Sequence, residues 1–248
     1  MKNHKKTGSV SASACLVLAI VFSIALALSG FGTREGWWGF RQGLAFLRWS
    51  AYAEGATVIL ALAVFLITGL RKSKKSVILS GTAFVIGLVT ITVPFRMWMI
   101  ARSVPPIHDI TTDTENPPQF AAVLTARNGA LNPAEYGGPE LAAEQRRAYP
   151  DISPLILDIP PQKAFERSLA ISKARGWKIV AADTDKGVIE ATDTSFWFGF
   201  KDDIVIRISP EGTGSRVDVR SLSRVGKSDV GANARRIRVF LDALRKTG

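Results

Sequence analysis

The chain has 248 residues, 32 Lys and Arg against 21 Asp and Glu, a net charge of +11 and a mean hydropathy of +0.15. One Cys, Cys15, excludes an intramolecular disulfide and a thiolate metal cluster, and two His, His4 and His108, exclude a His-rich metal centre. Nor is the charge one undivided nucleic-acid signal: residues 1–100, the apolar part, hold 11 basic and 2 acidic side chains, residues 101–215 hold 12 and 16, and residues 216–248 hold 9 and 3.

Val10–Leu28 carries no charge, Ala51–Leu70 carries only Glu54, and Val77–Phe95 is closed by Pro94 and Arg96. Each is close to the ~20 residues needed to cross a hydrocarbon core, which predicts three transmembrane helices at 10–28, 51–70 and 77–95 within a membrane anchor of residues 1–102. Lys2, Lys5 and Lys6 and the loop Arg71–Lys75 fall on one side of such a topology, so that side is expected to be cytoplasmic. Everything after about residue 100 is then extracytoplasmic, periplasmic or extracellular, on an inner (plasma) membrane protein. The alternative for the first segment is a cleaved signal peptide with Ala25-Leu26-Ala27 at its end, which leaves the remaining topology unchanged. Ser13-Ala14-Cys15 resembles a lipid-attachment box, but Cys15 precedes the apolar run, where lipidation needs it to follow.

Trp37, Trp38, Phe40, Phe46, Trp49 and Tyr52 have the composition of an interfacial aromatic belt, and Gly39–Trp49 is expected to lie flat on the outer surface as a short amphipathic helix. Glu54, placed one turn from the interface, is expected to snorkel, although an intramembrane acid is also a functional candidate. Residues 103–151 contain Pro105, Pro106, Pro117, Pro118, Pro133, Pro139 and Pro150 and are read as a Pro-rich, partly structured connection with one short helix at Ala134–Arg147. The run His108–Glu115 is too irregular for a calcium loop and is read as a polar strand or turn.

Residues 152–248 have the rhythm of a domain. Leu155–Leu157 suggests a strand. Pro160-Pro161 open a helix over Gln162–Arg175, with Gly176 at its C-cap. Trp177–Ala182 reads as a strand, and Val188–Phe200 as one long strand or a pair, with Phe196, Phe198 and Phe200 alternating. Strands also follow from Ile204, Ile206 and Ile208 and from Arg216–Arg224. A last helix, about Gly231–Arg245, has Ile237, Phe240, Leu241 and Leu244 at i, i+3, i+4 and i+7. The order β-α-β-β-β-β-α predicts an α+β fold, an antiparallel sheet with helices on one face in a helix-grip-like arrangement. Asp203 and Arg207, and Asp218 and Arg220, share strand faces and are expected to form a solvated face stitched by ion pairs.

The segment Arg220–Asn233 leaves a strand, turns at Gly226 and enters the last helix. Ser228 and Asp229 are placed to cap that helix, whose N-terminal N–H groups attract anions. Arg220, Ser221, Ser223, Arg224, Ser228, Asp229, Asn233 and Arg236 are therefore the candidate ligand-binding residues of an anion or carboxylate pocket. The competing reading is a turn held together by caps, with Asn233 tying down the preceding loop. No catalytic residue is assigned and no metal or cofactor is expected, since no nucleophile elbow, P-loop or zinc motif occurs.

The combination of IEATDTSFWFGFKDDIVIRI with GSRVDVRSLSRVGKSDVGANARRIRVFL, together with HDITTDTENPPQF, resembles the bacterial family known as domain of unknown function 1499, over about Pro105–Leu244. The resemblance implies a periplasmic or membrane-anchored protein with no assigned activity, cofactor or catalytic residue, and the N-terminal region looks like the form of the family that carries its own anchor. The function expected is a membrane-anchored extracytoplasmic binding or assembly module, with the lipid bilayer and an envelope protein or anionic ligand as partners and no nucleic acid. The alternatives are a periplasmic, hydrolase-like enzyme, for which Asp202, Asp203, Asp229, Arg220 and His108 are the available groups, and a subunit of a membrane transport complex.

Overall fold

The computed structural model describes residues 2–246, and of residues 2–8 only the backbone. It divides into a helical unit, residues 1–99 with Phe196–Gly199, and a sheet unit, residues 100–195 and 200–248.

The helical unit contains α1 (Lys2–Arg34), α2 (Phe40–Leu70) and α3 (Lys74–Ser103), whose last residues belong to the sheet unit. All three are long and apolar enough to cross a membrane. They pack through small residues: Cys15 and Ala19 of α1, Ala61 of α2 and Ala83 of α3 form one buried cluster. Small side chains let helix backbones approach where lipid supplies no hydrophobic drive. Each helix outruns the expected segment. Gly39–Trp49 does not form a separate surface helix, because Phe40 onward is continuous with the rest of α2. Pro94 does not end α3, which continues to Ser103. Trp38 ties the α1–α2 turn through its indole N–H, shared between the Ser29 carbonyl (3.2 Å) and Thr33 Oγ1 (3.1 Å). Glu54 is corrected most. With α2 starting at Phe40 it stands mid-helix, on the face turned to α3, and it is fully buried rather than snorkelling.

Phe196–Gly199 also departs from expectation. The alternating phenylalanines do not extend a strand; they lie in a turn. The Trp197 indole donates to the Ala27 carbonyl at 2.9 Å, and Gly30 makes room for it, since a Cβ there would come within 2.2 Å of the ring. A period-two pattern was present without a ladder to use it.

The sheet unit contains β1 (Asp109–Thr111), a 3-10 helix (Ala122–Arg127), α4 (Gly138–Ala148), β2 (Leu155–Leu157), α5 (Pro161–Ala174), β3 (Lys178–Asp183), β4 (Val188–Thr194), β5 (Lys201–Glu211), β6 (Gly214–Ser223) and α6 (Ala232–Lys246). From β2 onward the order is the expected β-α-β-β-β-β-α, and the α+β class holds. The sheet is antiparallel, ordered β1-β6-β5-β4-β3, with β2 pairing the other end of the β6 edge that β1 occupies. Alternation sends Ile204, Ile206 and Ile208 of β5 and Val217 and Val219 of β6 to one face. There they meet Phe165 of α5 and Ile237, Phe240 and Leu244 of α6, the main core.

The opposite face is not solvated as expected. Residues 112–134 roof it, with Phe120 and Val123 packed on Val205 and Leu222. Asp203, Asp218 and Arg220 are fully buried beneath that roof. Residues 109–148 thus supply the sheet with an edge strand, a cover and α4, more than a connection. The prolines suit this role, because an irregular cover needs no ladder of its own N–H groups.

Candidate functional site

Strand alternation divides the candidate residues between the two faces of β6. Arg220 and Arg224 point to the roof; Ser221 and Ser223 point to α6. One pocket therefore does not collect the whole set.

On the roof side, Arg220 is fully buried and forms a fork to Asp109, with Nε to Oδ1 at 3.0 Å and Nη2 to Oδ2 at 2.8 Å. Its remaining donors reach the carbonyls of Pro118 (3.2 Å) and Ala134 (2.8 Å), and its plane lies by the rings of Phe120 and Tyr136. Bidentate geometry and filled donors are what make a buried guanidinium tolerable. Burial, with the Asp109 carboxylate beside it, pushes the Tyr136 phenol up to about 12, so the ring stays neutral. Next along the face, Asp203 accepts from Arg127 (2.6 Å), Arg224 (2.8 and 2.9 Å) and Thr192 Oγ1 (2.7 Å). Burial alone would raise its carboxyl; the Arg224, Thr192 and Arg127 hydrogen bonds outweigh that and hold it below the ordinary aspartate value. Asp218 is shared by Arg207 and Arg216, which also grip Asp113. Glu190 accepts the backbone N–H groups of Ala121, Ala122 and Val123 at 2.9–3.0 Å, fastening the start of the 3-10 helix.

On the helix side, Asn233 is fully buried and does what a buried amide must. Its Nδ2 donates to the His108 carbonyl (2.9 Å) and Ser223 Oγ (3.0 Å), while Oδ1 accepts from Ser221 Oγ (2.7 Å) and Arg236. It ties α6 to β6 and to the residue before β1. Arg236 continues to Asp202 (2.6 Å) and Asp193. The N-terminus of α6 is capped by the chain: Asp229 accepts from the N–H groups of Gly231 (2.8 Å) and Asn233 (2.7 Å), and Ser228 Oγ from Val230 N–H (3.1 Å). Burial raises the Asp229 carboxyl above its ordinary value, against the two backbone hydrogen bonds. Asp202 and Asp203, adjacent in β5, face opposite sides, Asp202 toward α6 and Asp203 toward the roof.

The charge excess of residues 216–248 is answered inside the sheet unit. Arg220, Arg224, Arg236 and Arg238 pair with Asp109, Asp203, Asp202 with Asp193, and Asp151, all of which precede residue 216. Lys227 and Arg235, at the turn into α6, are exposed and form no ion pair among the described residues. Sequence reasoning did not single out Arg127, Glu190 or Thr192; Arg127 reaches Asp203 across 76 residues, Glu190 reaches Ala121 across 69, and Thr192 reaches Asp203 across 11. Among the described residues no three of His, Cys, Asp and Glu are placed to hold a metal ion.

Three membrane-type helices and an α+β sheet domain, its C-terminal arginines matched to upstream aspartates, define the class of protein. The chain belongs to the DUF1499 family of proteins of unknown function, whose model matches residues 109–244, more than half of the chain. The match begins at Asp109, the partner of Arg220, and ends in α6, so it takes in the roof and α4 together with the sheet. No curated protein matches the chain.

Proposed function

We propose that this protein is a membrane-anchored extracytoplasmic module that binds or assembles with another component of the envelope, held in the inner membrane with its N-terminus cytoplasmic. The topology rests on the basic flanks: Lys2, Lys5, Lys6 and Arg71–Lys75 on one side, and the sheet domain after the third span on the other. The recognition surface we assign is the turn into α6. Ser221, Ser223 and Asn233 are its buried frame, Ser228, Asp229 and Arg236 its half-buried shoulders, and Arg224 flanks it from the roof side; Arg220, beneath the roof, stands outside it. Lys227 and Arg235 are its exposed basic groups and fit an anionic or carboxylate-bearing partner. The observation that carries this reading is that these two cations stay exposed and unpaired beside the capped N-terminus of α6, while the arginines around them are paired.

The topology is tested by fusing alkaline phosphatase after residue 248: activity is expected, and an inactive fusion with a stable product overturns the orientation. Recognition is tested by placing a photo-crosslinking residue at 227 in the native membrane. A discrete adduct is expected, absent when the same residue replaces Gln162, which is exposed on α5. Identical patterns at the two positions would sink the assignment.

A further inference from the structure

Glu54 is the only acidic residue within α2 and α3 or the described side chains of α1. It is fully buried, and neither carboxylate oxygen has a hydrogen-bond partner. It stands sixteen residues before Leu70, about 24 Å along α2 from the basic loop, which leaves about 6 Å, or one helical turn, of a core of about 30 Å on the far side. The structure makes room for it: a Cβ at Gly87 of α3 would come within 2.6 Å of its Oε1.

A threonine hydroxyl and the Val58 side chain share the space around Gly87 with the carboxyl. Thr90, one turn beyond Gly87, stands beside it. Thr90 Oγ1 donates to the Ile86 carbonyl (2.8 Å), so in its 3.0 Å contact with Ser23 of α1 the serine is the donor. Thr57, one turn along α2 from Glu54, is buried and donates to the Ala53 carbonyl (2.9 Å). With their protons committed to backbone carbonyls, both threonines have only lone pairs left to offer. An ionised carboxylate cannot remain in such a place without a compensating positive charge. A Lys or Arg from another protein cannot supply it, because the helices of this chain cover Glu54 completely.

We propose that Glu54 is the centre of an intramembrane site for one monovalent cation, a proton or a sodium ion, either of which would neutralise the buried carboxylate. Thr90 of α3 stands beside it, Thr57 lies one turn away on α2, and Ser23 of α1 joins only through Thr90. This goes beyond the reading of the sheet domain and does not depend on it.

The test uses the full chain in liposomes and dicyclohexylcarbodiimide, an apolar reagent that adds to a carboxyl group carrying a proton. The carboxyl O–H adds across one C=N bond, and an oxygen-to-nitrogen acyl shift retains every atom of the reagent. Tandem mass spectrometry is expected to place one stable adduct on Glu54, lost in Glu54→Gln. Labelling slowed by sodium, at ionic strength held constant with choline, identifies sodium as a competing occupant; labelling indifferent to sodium identifies the proton. In sodium-free choline medium, absence of both the adduct and, by infrared spectroscopy of the same liposomes, a protonated-carboxyl C=O band that Glu54→Gln removes overturns the site, since a covered carboxyl can escape the reagent but not the spectrum. Equally rapid modification of Glu54 by a water-soluble carbodiimide also overturns it, since the carboxyl would then be in water.

Discussion

Both units of the molecule bury charge, and they do it in opposite ways. In the sheet unit each buried carboxylate meets a guanidinium or a set of N–H groups: Asp109 with Arg220, Asp203 with Arg127 and Arg224, Glu190 with three backbone amides. In the helical unit Glu54 meets neither. The difference separates two uses of a buried acid. A paired acid holds distant parts of the chain in register, and its loss leaves a partner stranded. An unpaired acid holds nothing, so its loss strands nothing, and what it requires is a counter-charge from outside the fold.

The sharpest way to break the comparison is to unpair the sheet unit. Arg220→Ala leaves Asp109 buried without its fork and removes the group that joins β1, the Pro118 carbonyl and the Ala134 carbonyl. The expected loss is about 3–5 kcal/mol. Adding Asp109→Ala should recover part of it, because the stranded charge goes with its partner. Denaturant unfolding of the full chain in detergent, followed by hydrogen exchange of β1 and β6, measures both. If the double variant is as unstable as the sum of the single ones, pairing is not what the residues share.

Asp203→Asn comes next, at about 3 kcal/mol, since it leaves Arg127 and Arg224 facing a neutral amide. It also changes the pH dependence. The folded-state carboxyl is held below its ordinary value, so its contribution is fully present above that value and is lost as pH falls through the depressed one. The wild-type unfolding temperature should therefore decline on the acid side, and the Asp203→Asn decline should be shallower. Parallel acid limbs would show that this network does not control acid unfolding.

Glu190→Gln is smaller. One amide oxygen replaces two carboxylate oxygens that serve three N–H groups, and the amide's own N–H₂ meets donors. About 2 kcal/mol is expected, with faster exchange confined to the 3-10 helix and its flanks. Faster exchange spread evenly over β3–β6 would mean that roof and sheet open as one.

These networks explain which parts of the structure were readable in sequence. The three spans and the order from β2 to α6 follow from periodicity, a property of neighbouring residues. Alternation also placed Asp203 with Arg207 and Asp218 with Arg220 correctly on their faces. It could not say that the face was covered, because the cover begins about a hundred residues earlier in a Pro-rich stretch with no period of its own. The partner of Arg220 was visible only as one carboxylate in an irregular acidic run. The Phe196–Phe200 alternation shows the converse, a period that belongs to no strand. Asn233 was legible as a buried tie because its position on the apolar stripe of α6 demanded partners. Glu54 was expected to snorkel because nothing local shows that α3 covers it at Gly87.

The smallest expected effect falls on the helical unit and decides whether the comparison holds. Glu54→Gln keeps nearly the same volume and removes no hydrogen bond or ion pair among the described residues. If the carboxyl is structurally idle, unfolding in detergent should change by no more than about 0.5 kcal/mol, the range of substitutions that strand nothing. The direction is informative even at that size. Glutamine removes the cost of keeping a buried carboxylate neutralised, so a slight gain is the expected sign. A loss comparable to that of Arg220→Ala would mean that Glu54 is paired after all, and that the two units bury charge by one rule.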